Sequence, residues 1–175
     1  SRNFTNLFIA PIKINEIITA LTATALVRTL IGIVPAILFA SPFFGVSLLD
    51  LGPALILLLL SLYTFGMTLG LLVVSGLLRY GPAFENVAWS SLFLLAPLGC
   101  IYYPLSILPD WLQIIAKSLP LVYIFEEVRS ILINNIVNYS NIISALILNV
   151  IYFLLSVFTF YSAFNEAREK GTLIN

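Results

Sequence analysis

A chain of 175 residues that is 61% hydrophobic and 9% charged, with a formal net charge of zero, cannot clothe a soluble surface. Soluble domains carry about a quarter of their residues as charges, so an ordinary water-soluble domain is excluded, and zero net charge offers no attraction to nucleic acid. Histidine is absent and Cys100 is the single cysteine, which removes the commonest general base, any internal disulfide and any cysteine-rich metal site.

One membrane crossing takes about 20 apolar residues, so four spans with their loops fill the chain. The expected fold class is all-α: one polytopic membrane helix bundle over residues 1–175. Residues 1–15 place Phe4, Leu7, Phe8, Pro11 and Ile12 in a short apolar stripe with Arg2 and Lys13 at its edges. This is either an amphipathic surface helix or the start of the first span. The chain opens on Ser1 without a signal-peptide pattern and reads as the C-terminal part of a longer protein.

The first span, 16–40, carries Glu16, Arg28 and Pro35 and closes at the turn-rich SPFFG of 41–45. Arg28 lies about 18 Å of helical rise beyond Glu16. It is either a functional intramembrane charge or a structural one that binds carbonyls or snorkels. The second span, 51–78, is free of charge and contains Gly66-x-x-x-Gly70, a spacing that permits close helix approach. Arg79-Tyr-Gly-Pro82 marks a turn, and 87–104 forms a third span loosened by Pro97 and Gly99.

Residues 105–135 break the pattern. Pro104, Pro109 and Pro120 delimit pieces too short to cross a bilayer. Trp111, Leu112, Ile115 and Leu119 share one face of the first piece. In the second, Ile124, Phe125, Val128, Ile131 and Leu132 oppose Glu126, Glu127, Ser130 and Asn134. Two short amphipathic helices in succession predict a re-entrant or interfacial hairpin, packed on protein or lining a wet cavity. Within it, Glu126-Glu127-x-Arg129 is either a gate at the mouth of a pathway or a solvated face. The last span is 141–164, followed by a charged tail, 165–175; the asparagines 134, 135, 138, 141 and 149 read as loop and cap residues.

Four spans put both ends on one side. That side carries Arg2, Lys13, Arg79, Arg168 and Lys170, against Lys117 and Arg129 opposite. The positive-inside rule makes the ends cytoplasmic, the hairpin external and the protein a multi-pass component of the cell membrane. No phosphate loop, dinucleotide fingerprint or metalloprotease motif is present, so catalysis by this chain is not expected. Ion-coupled transport usually needs ionisable side chains at mid-membrane depth, and three of the four spans lack charge, so an ion-coupled carrier or channel stands only as the alternative reading.

The stretch YYPLSILPDWLQIIAKSLPLVYIFEEVRSIL, 102–132, resembles the segment before the last membrane helix of ABC-2 type transporter permeases. The matching features are Tyr103-Pro104, Leu108-Pro109, Leu119-Pro120, Tyr123, Glu126 and Arg129. Residues 2–16, with Pro11 and Glu16, resemble the family's coupling segment, and Ala167-Arg168 through Leu173 resembles its ending. Such permeases have six spans, of which this chain would supply the last four.

The resemblance implies a dimer of permease subunits that forms the translocation pathway in the lipid bilayer, without a cofactor or metal. It also implies a separate cytoplasmic ABC ATP-binding subunit, docked on Phe4, Leu7, Phe8, Pro11 and Glu16, that drives export of drugs, lipid-linked glycans or polysaccharides. Tyr123, Glu126 and Arg129 would stand at the external hairpin.

Overall fold

The computed structural model describes residues 14–45 and 48–169. Among them every regular element is helical, as expected where hydrocarbon leaves backbone groups no outside partner. Six α-helices follow one another: α1 (Ile14–Phe44), α2 (Pro53–Tyr80), α3 (Phe84–Leu98), α4 (Asp110–Ala116), α5 (Pro120–Asn134) and α6 (Tyr139–Glu169). Short 3-10 turns lie at Leu48–Leu51 and Leu105–Ile107.

Helices α1, α2 and α6 are long and apolar enough to cross a membrane. Helix α3, with 15 residues, rises only about 22 Å and is shorter than the hydrocarbon core. Hydropathy carries the third span to Pro104, but the helix stops at Leu98. Pro97 lies in its last turn, the Gly99 N–H closes on the Leu95 carbonyl at 2.8 Å, and Cys100 turns left-handed at φ 54°. Conversely, Ser41–Phe44, expected as a turn, continue α1, which ends only at Gly45 with φ 66°. Pro53 opens α2 and Gly81, at φ 73°, closes it.

The bundle is organised on the α2–α6 pair. Ala54 and Leu58 pack with Ile142 and Ala145, Ser61 meets Asn149, and Leu71 packs with Phe160 and Phe164. Residue numbers rise together on both helices, so α2 and α6 run parallel. Most of their buried positions, 54, 58, 61, 65, 68, 71 and 75 against 142, 145, 149, 156, 160, 163 and 167, recur at spacings of three, four and seven. That is the spacing of a coiled-coil-like seam, which favours a left-handed crossing. Many are small or weakly polar (Ser61, Ser75, Ala145, Ser156, Ala163), which lets backbones approach where no hydrophobic force drives association.

Helix α3 folds back on α2 at the Gly81 turn. The close fit there depends on Gly76, where a Cβ would collide with the Phe84 ring. Helix α1 is laid more loosely along α2 and α6, through Ile18 and two tyrosines: the Tyr63 hydroxyl donates to the Thr22 carbonyl at 2.5 Å, and Tyr161 hydrogen-bonds Asn15. None of the spanning window of α1 is buried.

Candidate functional site

The predicted hairpin exists as α4 and α5, and each proline of the motif has a structural task. Pro104 precedes the 3-10 turn, Pro109 precedes α4 and accepts from the Leu112 and Gln113 amides, and Pro120 occupies the first turn of α5. In that first turn its missing N–H has no partner to lose. The Tyr103 hydroxyl reaches back to the Pro97 carbonyl at 2.8 Å and so caps the end of α3.

The hairpin does not lie flat across the end of the bundle. At its turn the Ser118 carbonyl accepts a hydrogen bond from the Tyr152 hydroxyl at 3.1 Å. Tyr152 is thirteen residues into α6, about 20 Å along the helix. Helix α5 then climbs antiparallel to α6, placing Ile124 and Ile131 in one cluster with Ile142, Ala145, Leu51, Ala54 and Leu58. The chain therefore dips to the middle of the long helices and returns.

Two acidic residues hold this arrangement. Glu126 Oε1 accepts from the Leu105 amide at 2.7 Å and from Arg129 at 2.7 Å. Arg129 also donates to the Cys100 carbonyl at 3.0 Å. The pair thus clasps the 100–105 segment onto α5, above a small core of Cys100, Leu108, Ala116 and Val122. Glu127 is fully buried; it accepts from the Asn138 amide at 2.7 Å and the Asn141 side chain at 3.1 Å, tying α5 to the start of α6. By polarity alone Glu127 belongs to the polar side of α5. Helical geometry puts it between Ile124 and Ile131, on the buried stripe, and that spacing is the signal that identifies it. Tyr123 is packed half-buried against the α2–α6 cluster, one turn before Glu126 on the same helix.

Between α1 and α2 runs an open groove of about 460 Å³, lined by residues that include Arg28, Thr29, Tyr63, Gly66, Met67 and Gly70. A Cβ at Gly66 or Gly70 would have nothing within 4 Å, so this pair forms the floor of the groove and makes no tight crossing among the described residues. Arg28 is exposed beside it. Glu16 occupies the first turn of α1, whereas Phe4, Leu7, Phe8 and Pro11 lie outside the described residues. Asn149, read from sequence among the loop and cap residues, is instead buried mid-helix and donates to Ser61 Oγ at 2.5 Å and to its carbonyl at 3.1 Å. Asn138 and Asn135 do cap: Asn138 Oδ1 accepts from the Ser140 amide at 3.1 Å, and Asn135 ends α5 left-handed. No group of metal-ligating side chains occurs among the described residues.

Comparison with curated proteins and with solved structures gives no match. The family model described as ABC-2 type transporter matches residues 2–133, which takes in the predicted coupling segment, α1 to α4 and nearly all of α5. The match spans most of the chain and agrees with an all-helical bundle of apolar spans, so this protein is a transport permease of the membrane and belongs to the ABC-2 type transporter family.

Proposed function

We propose that the chain forms part of the translocation pathway of an exporter powered by a separate ATP-binding-cassette subunit. The family match supports a permease. The observation that carries the reading further is the hairpin turn held at Tyr152, midway along α6. Non-helical backbone at membrane depth is tolerated only where it packs on protein or lines a water-filled cavity. A turn that enters from one end and stops halfway divides the pathway there.

In this reading α3, continued by residues 99–104, supplies the fourth crossing. Both ends of the chain are cytoplasmic, as the loop charges favour, and the hairpin opens to the exterior of the cell membrane. Residues 1–15 dock the ATPase through Phe4, Leu7, Phe8 and Pro11, with Glu16 opening the helix that receives the motion. A second permease subunit completes the pathway. Glu126 and Arg129 act by fixing the 100–105 segment, and so set the shape of the outer mouth.

The test uses the intact transporter in proteoliposomes. Leu7→Asp and Phe8→Asp should leave membrane insertion and ATP hydrolysis in place while transport falls at least tenfold. Unchanged transport in both variants removes the docking role.

A further inference from the structure

The hairpin turn carries a charge with it. Lys117 caps α4 beside Ser118 and is exposed. The Tyr152–Ser118 bond fixes its depth. Helix α6 carries no charged residue from Tyr139 to Asn165, and Tyr152 stands at the centre of that stretch, about 20 Å from either end, which puts it near the middle of a ~30 Å hydrocarbon layer.

A second cation stands within a spanning helix. The Ser61–Asn149 bond sets α2 against α6, which brings Tyr152 level with about Thr64. Arg28 lines the groove together with Tyr63 and Gly66, in the middle stretch of α1. Neither cation has a carboxylate within ion-pair distance among the described residues. Three of the acids in the bundle are engaged: Glu126 with Arg129, Glu127 with Asn138 and Asn141, and Glu166 with Arg79; Asp110 stands at the opposite end of α4, about 10 Å of helical rise from Lys117. An ammonium ion facing lipid at this depth is strongly disfavoured, and such residues face a wet cavity or a counter-ion instead.

We propose that Lys117 lines the translocation pathway as an anion-binding residue, and that the exported cargo is an amphiphile with a negatively charged group. This rests on the permease reading above. Arg28 adds charge of the same sign within the span of the long helices, and α4 presents Trp111, Ile114 and Ile115 as exposed apolar surface beside Lys117.

The experiment introduces Ser118→Cys into the intact permease in membrane vesicles; the native Cys100 is fully buried and serves as a silent background. Labelling rates are compared for anionic sulfonatoethyl and cationic trimethylammonioethyl methanethiosulfonate. A cleft lined by one sign of charge raises the local concentration of the opposite ion about tenfold or more. The anionic reagent should therefore be favoured about tenfold over its ratio on a free thiol. Adding Lys117→Gln should abolish that preference, Lys117→Arg should keep it, and dodecyl phosphate should protect the thiol where dodecanol does not. The proposal is overturned if neither reagent reaches the thiol, if Lys117→Gln leaves the ratio unchanged, or if dodecanol protects equally. No ATP enters the assay, so a missing ATPase partner would sink the permease reading's energy source and leave this result standing on its own.

Discussion

Exchanging Glu126 and Arg129 distinguishes a simple ion pair from a clasp. If the two residues only attracted each other, the double variant Glu126→Arg/Arg129→Glu would restore what either single change loses. The structure predicts the opposite. Glu126 accepts from the Leu105 amide and Arg129 donates to the Cys100 carbonyl. The exchange sets a donor against an amide donor and an acceptor against a carbonyl.

The ion pair itself survives the exchange, and in this partly exposed setting it is worth under about 1 kcal/mol either way. Two hydrogen bonds between charged groups and backbone are lost, each worth about 1.5–3 kcal/mol. The segment is therefore released by about 3 kcal/mol or more, roughly a hundredfold in its opening equilibrium. Cys100 reports this directly, because it is fully buried and is the chain's single cysteine. Maleimide labelling in native membranes should accelerate about a hundredfold in the exchanged protein. Glu126→Gln, which keeps an acceptor for Leu105, should accelerate it only several-fold. Labelling of the exchanged protein as slow as in the native one would refute the clasp.

Glu127→Ala removes both bonds that tie α5 to α6 and should cost about 3 kcal/mol in reversible unfolding, with Glu127→Gln recovering about half because one acceptor remains. Gly76→Ala should destabilise the α2–α3 turn by about 1–3 kcal/mol, and Phe84→Ala in the same chain should relieve much of that; Gly66→Ala should leave folding unchanged, because its Cβ enters open space. Asn149→Leu should cost about 0.5–1.5 kcal/mol through loss of the bonds to Ser61, read by unfolding in mixed detergent micelles.

The broad architecture was legible because bilayer physics leaves few options. Long charge-free runs between turn residues must be helices, and α2 and α6 follow the hydropathy closely. The hairpin was legible for a different reason: proline spacing sets segment length, and the pieces between Pro109, Pro120 and Asn135 cannot span. Its depth was not, because that depends on the Tyr152–Ser118 contact between residues 34 apart.

Misreadings share a cause. Hydropathy counts apolar residues without asking where backbone bonds end, so it ran the third span past Leu98 into a segment whose geometry is set by Gly99 and Cys100. Gly99 faces Leu121, which a Cβ would meet at 2.9 Å. Sorting residues by polarity placed Glu127 and Asn149 outside the core, although their spacing from apolar neighbours puts both on buried stripes. The Gly66–Gly70 spacing allows a close crossing, but which helix approaches is a tertiary fact.

ATP-dependent transport by the intact transporter shows most directly whether another subunit energises this permease. Purified in mild detergent from its native membrane, it should retain an ATP-binding-cassette subunit. Once reconstituted, it should move cargo only when ATP is supplied on the cytoplasmic face, with the rate unaffected by collapse of the proton gradient. Transport without an associated ATPase, abolished by a protonophore and indifferent to ATP, would contradict an ATP-driven permease.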